Sequence, residues 1–157
     1  MDLGTADFLR LPTFDHFAAV TLRLVAAALL GGVVGLEREW VGKAAGLRTH
    51  MLVALGAAMF VLAAAESGIA DGNLARIIQG VAAGIGFIGA GTILKRADRE
   101  EIRGLTTAAT IWLTAALGVA VAVSPLWLSV VGAVSALVIL YALAIVERRF
   151  GDPRPKA

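Results

Sequence analysis

The chain has 157 residues, 59% of them hydrophobic, and a mean hydropathy of +0.83. Soluble domains lie nearer about 45–50% apolar, so this balance excludes an ordinary soluble domain, and the length suits one domain. Fourteen basic against twelve acidic residues leave a net charge of +2, which gives no reason to expect a nucleic-acid partner. With no cysteine, disulfides, thiolate metal sites and a cysteine nucleophile are all excluded.

Residues 1–16 form a lead-in carrying Asp2, Asp7 and Asp15. It has no basic n-region and no small-residue cleavage site, so a cleavable signal peptide is not expected. Phe8, Leu9, Leu11, Phe14 and Phe17 could lie along a membrane interface, or the segment could simply fray. A hydrocarbon layer of about 30 Å needs roughly 20 mostly apolar residues per helix. Five stretches meet this, 17–36, 49–65, 77–94, 106–123 and 126–146. The expected fold is therefore all-α, an integral membrane bundle of about five transmembrane helices. The transmembrane domain spans 17–146, and 147–157 form a short basic tail. Arg23 falls inside the first stretch, about two turns from its start, where it can snorkel to the interface or serve as a functional intramembrane charge.

Charge sets the direction of each crossing. The first connection holds Arg38, Lys43 and Arg48, and the third holds Lys95, Arg96, Arg99 and Arg103. The tail holds Arg148, Arg149, Arg154 and Lys156. The second connection has only Arg76, and the fourth, around Ser124-Pro125, has no basic residue. Cytoplasmic loops carry the Lys/Arg excess, which predicts the N-terminus outside and the C-terminus inside.

The sequence also matches itself when shifted by 58 residues. Gly31 falls on Gly89, Leu36 on Leu94, Arg38 on Arg96, Gly46-Leu47 on Gly104-Leu105 and Thr49 on Thr107. This predicts a parallel repeat of two hairpins, with the fifth helix outside it.

Two groups of residues are candidates for function. The first is the glycines: Gly31 and Gly35 in helix 1, with Gly80, Gly84, Gly86, Gly89 and Gly91 in helix 3. Gly31–Gly35 and Gly80–Gly84 have the GxxxG spacing that lets helix backbones approach closely in a bilayer. Packing within the bundle, a homodimer face and a broken helix lining a substrate site are the three uses open to them. Residues 86–91 resemble a nucleotide-binding glycine pattern only superficially, because they lie in an apolar span with no preceding strand. The second group is a polar cluster at the cytoplasmic face: Glu37, Arg38, Glu39, Arg48, Thr49, His50, Arg103, Thr106 and Thr107. Ion pairs of Glu37 with Arg48 or Arg103, or helix capping by Thr49, Thr106 or Thr107, would account for it.

Within the membrane, Thr107, Thr110 and Thr114 share one face of helix 4, and Gln79 is the polar group of helix 3. Interhelical hydrogen bonding or a polar permeation path are the readings. Glu37 and Glu39 diverge on their helix, and His16 and His50 are expected on opposite sides of the membrane. No metal site, cofactor or catalytic residue is therefore expected, and the chain is not expected to be an enzyme.

Taken together, Gly31-Gly32-Val33-Val34-Gly35-Leu36-Glu37-Arg38-Glu39, Gly46-Leu47-Arg48-Thr49-His50-Met51-Leu52-Val53, Gly84-Ile85-Gly86-Phe87-Ile88-Gly89-Ala90-Gly91 and Arg103-Gly104-Leu105-Thr106-Thr107-Ala108-Ala109-Thr110-Ile111-Trp112 resemble the four signatures of the MgtC/SapB family, in order and spacing. The resemblance implies a multi-pass bacterial inner-membrane protein linked to growth at low magnesium, acid resistance and survival inside host cells. It implies action through other membrane proteins, the ATP synthase among them, in a lipid bilayer; a homo-oligomer is expected from the glycine spacing alone. A small transporter or channel for Mg²⁺ or protons is the alternative. Longer members add a soluble C-terminal domain, and here the sequence stops soon after helix 5. Some members carry Asn where this chain has Thr106, so no role for that amide carries over.

Overall fold

A chain crossing a bilayer must satisfy every backbone N–H and C=O internally, and long apolar helices do this. The computed structural model describes residues 11–68, 70–95 and 102–150, and in them the apolar stretches are helices. They are α1 (Phe14–Trp40), α2 (Leu47–Glu66), α3 (Ala70–Gly91), α4 (Leu105–Val123) and α5 (Leu126–Phe150). The first four are long and apolar enough to cross a membrane, and α5 holds a shorter apolar stretch, Leu126–Ala142. Most of the lead-in, Arg96 and Arg99 of the third connection, and Arg154 and Lys156 of the tail lie outside the described residues.

Several boundaries differ from the sequence expectation, each for a local reason. Helix α1 runs on through Glu37-Arg38-Glu39 and stops in a Schellman turn. The Gly42 N–H donates to the Glu39 carbonyl and the Lys43 N–H to the Arg38 carbonyl, at 3.0 and 2.9 Å. Gly42 has the left-handed φ of +69° that this turn requires. Helix α3 starts earlier than expected, so Arg76 is helical rather than part of a connection, and it ends at Gly91. There the Thr92 hydroxyl donates to the Gly89 carbonyl at 2.7 Å.

Beyond Thr92 a two-residue antiparallel ladder joins β1 (Leu94–Lys95) to β2 (Ile102–Arg103), with Leu94 opposite Arg103. No alternating apolar pattern announced it. Gly104 then starts α4 with a φ of +92°, its backbone pressed against the Thr92 carbonyl. Any side chain at this position would clash as well as strain the backbone.

The core is built by α1, α2 and α4. Ala27, Ala54, Ala58, Val61, Leu62, Val121 and Ala122 form one cluster, and Val34, Leu117 and Ala133 a second that brings in α5. Small residues dominate because close backbone approach, rather than a difference in hydrophobicity, holds helices together in lipid. Gly118 marks the tightest crossing, since a Cβ there would strike the Ala54 carbonyl of α2. Helix α3 sits at the edge: 6% of its apolar window is buried, against 50% for α4. Exposed Trp40 at the end of α1 and exposed Trp127 at the start of α5 stand at opposite ends of the bundle, as interfacial anchors do.

The two hairpins are built alike. Gly46 and Gly104, 58 residues apart, are the N-caps of α2 and α4. Gly31 of α1 lies against His50 of α2, and Gly89 of α3 against Ala108 of α4. Each partner is again 58 residues from its counterpart, so equivalent positions make equivalent contacts in the two hairpins.

Candidate functional site

The C-terminus of α1 and the N-terminus of α2 meet at one end of the bundle, the end that carries the basic first and third connections. Two missing side chains make this meeting tight. A Cβ at Gly31 would lie 2.5 Å from the His50 carbonyl oxygen and 2.8 Å from the Ala54 Cβ. One at Gly35 would lie 2.8 Å from the Leu47 Cα and 2.9 Å from the His50 Cβ. The α1–α2 contact is therefore backbone against backbone.

His50 is fully buried by this contact. Its Nδ1 lies 2.9 Å from the Gly46 carbonyl oxygen, and a carbonyl only accepts, so Nδ1 carries a proton. Its Nε2 faces the Thr110 Oγ1 of α4 at 3.3 Å. That hydroxyl is also 2.9 Å from the Thr107 carbonyl, while Thr114 donates to the Thr110 carbonyl at 2.7 Å. The threonine face of α4 is thus buried and largely committed to its own backbone, a cheap way to keep hydroxyls in a membrane. The Thr110 proton has two acceptors within reach, His50 Nε2 and the Thr107 carbonyl, which ties α2 to α4.

The expected polar cluster divides. Arg38 is 3% exposed, and its Nη1 lies 3.4 Å from Glu37 Oε2. Glu37 therefore contacts its neighbour rather than Arg48. Both charges are within electrostatic reach of the His50 ring. The Nε and Nη2 of Arg38 are buried with no acceptor. Glu39 has a different task. Its carboxylate accepts the Leu47 N–H at 2.8 Å, where Gly46 supplies no side-chain cap. The capping expected of Thr49 is thus performed from the preceding helix, and α4 likewise begins without a side-chain cap from Thr106 or Thr107. Thr49 is half-buried, whereas Arg48, Arg103 and Thr106 are exposed at this end.

The glycines divide as sharply. Gly31 and Gly35 are filled by α2, and Gly89 meets Ala108 of α4 at 3.5–3.8 Å. At Gly80, Gly84, Gly86 and Gly91 a Cβ would meet nothing within 4 Å. Gly80 and Gly84 line a cleft of about 490 Å³ between α3 and α2, walled by Val53, Ala57, Phe60 and Ile88. Gln79 is exposed on the same helix, in the middle of a span that would otherwise face lipid.

At the opposite end, Arg23 donates through Nη1 to the carbonyls of Val121 and Ala122. These belong to the last turn of α4, whose carbonyls lack helical partners and carry the negative end of the helix dipole. Arg23 is thus held by a helix terminus, which the sequence expectation of snorkelling did not include. His16 joins Glu66 at 2.8 Å nearby, across the far ends of α1 and α2. Gly118 and the carbonyl grip of Arg23 are absent from the sequence-based candidates, whereas His50 belonged to the expected polar cluster. A lone glycine in an apolar helix and a lone arginine near a helix end carry no spacing signal. Among the described residues no three His, Asp or Glu side chains converge as a metal site.

Comparison with known proteins places these features in a family. The MgtC family model matches residues 24–149. SrpB of Synechococcus elongatus is 44% identical over 149 residues, covering 88% of this chain and 81% of its own length. The Escherichia coli K12 protein named "Putative magnesium transporter YhiD" is 42% identical over 131 residues, 78% of this chain and 60% of that protein. MgtC of Salmonella typhimurium LT2 is 46% identical over 98 residues, 62% of this chain and 41% of its own length. The chain therefore spans less than two thirds of YhiD and of MgtC. No solved structure matches it.

Proposed function

The chain belongs to the MgtC family, and on that premise we propose that it is a bacterial inner-membrane regulator that adapts cells to stress by contacting other membrane proteins. Low magnesium, acid and life inside a host cell are the conditions that the family resemblance attaches to this role. The basic connections face the cytoplasm in this reading, as the charge asymmetry of the loops directs.

The observation that carries the proposal is the state of α3. Its Gly80–Gly84 pair opens onto an apolar cleft instead of a packed helix, and Gln79 is exposed on the same span. Small-xxx-small spacing and a mid-span amide are the two devices by which helices recognise one another in lipid. In α1 the same glycine spacing is already used within the chain. The free pair on α3 suits a helix of another protein, the ATP synthase being one candidate by family resemblance, or of a second copy of this chain.

A transporter of Mg²⁺ or protons is the second reading, favoured by the name that YhiD carries. Liposomes holding the purified chain separate the two. The regulatory reading predicts Mg²⁺ and proton flux no greater than in empty vesicles. Clear flux that is lost in Thr107→Val or Gln79→Leu contradicts it.

A further inference from the structure

Arg38 is the least satisfied polar group in the described structure. Its side chain is 4% exposed, yet two of its three nitrogens, Nε and Nη2, have no acceptor. Those two are not a random pair. In a planar guanidinium the Nε–H and one Nη2–H lie on the same edge and point the same way. This is the side-on fork that grips two oxygens of one oxyanion. The remaining nitrogen, Nη1, makes only the long 3.4 Å contact with Glu37. A buried cation with an unmet edge is costly wherever it occurs and cannot be neutralised by losing its proton.

The position of Arg38 narrows what would fill that edge. Arg38 lies two residues before Trp40, which is 80% exposed at the same helix end, where the membrane interface and its phosphate layer are expected. Close by, Glu39 is committed to the Leu47 N–H, and the His50 Nδ1–H to the Gly46 carbonyl. Neither is hydrogen-bonded to the Nε or Nη2 of Arg38. Glu37 is 23% exposed and its carboxylate lies 3.4 Å from Nη1, so its charge competes with any anion that approaches.

We propose that the Nε/Nη2 edge of Arg38 is a binding site for a phosphate group at the basic end of the bundle, with Glu37 as a competing charge. The phosphate is either that of an anionic lipid head group or free inorganic phosphate, and both present the paired oxygens that the fork needs. This site is independent of the α3 face and stands whether or not that face binds a partner.

The test is thermal unfolding of the full chain in maltoside micelles, which contain no phosphate. Inorganic phosphate is titrated against chloride at equal ionic strength, and a short-chain phosphatidic acid is titrated in parallel. The expected result is a saturable rise in Tm with one or both probes. A response to the lipid alone assigns a head-group site, and a response to the free ion assigns a soluble ligand. The rise should disappear in Arg38→Gln, and in Glu37→Gln half-saturation should fall by about threefold, the scale of one lost competing charge. No rise with either probe overturns the proposal, as does an equal rise in Arg38→Gln. If Arg38→Gln does not fold, Glu37→Gln decides: tighter binding supports the site and unchanged binding overturns it.

Discussion

The two hairpins of this protein share a plan and use it in opposite ways. In the first, Gly31 and Gly35 let the α1 backbone rest on α2 around His50, and the contact is closed. In the second, the position equivalent to Gly31 is Gly89, which meets Ala108 at a looser 3.5 Å, while Gly80 and Gly84 face open space. Glycine spacing alone therefore does not say what a helix packs against. It says only that something can come close. The closed hairpin builds the core with α4, and the open one leaves a face available within the plane of the membrane.

Substitutions test this contrast. The largest effect is expected at the closed contact. Gly31→Leu forces side-chain atoms into the His50 carbonyl and the Ala54 methyl, and should destabilise the chain by about 3 kcal/mol, read as a drop in Tm in detergent. Arg23→Leu comes next. It strips the last carbonyls of α4 of a charged donor and should cost about 2 kcal/mol. Glu39→Ala removes the acceptor for the Leu47 N–H and should cost about 1 kcal/mol, with hydrogen exchange rising first in the opening turn of α2. The smallest effect has the opposite sign. Gly84→Ala adds a methyl where nothing lies within 4 Å and should stabilise the isolated chain by about 0.5 kcal/mol through helix propensity. A Gly84→Ala variant that loses stability as Gly31→Leu does would erase the contrast.

Much of this was legible from the residues. The apolar stretches revealed five helices in sequence order, because the bilayer leaves the backbone few alternatives. The 58-residue offset pointed to Gly46 and Gly104 as matching helix starts, and both are N-caps. Pairing was harder to read. Glu37 has several cations near it in sequence and in topology, and only the helix rotation decides that it meets Arg38. The same rotation decides which glycines point inward, since Gly31 and Gly80 belong to identical spacings. Glu39 capping α2 depends on the path of a six-residue connection, fixed by the Schellman turn at Gly42. The β1–β2 ladder has only two residues per strand, too short for any periodicity to reveal.

We propose that α3, rather than α1, offers the surface through which this protein acts. Site-specific photocrosslinking in native bacterial membranes tests this, with the reactive group placed at position 84 in one variant and at position 29, exposed on α1, in another. Position 84 should capture another polypeptide, a membrane protein or a second copy of this chain. Position 29 should capture no polypeptide. Capture of lipid alone at position 84, or equal capture of protein at both positions, would contradict the account.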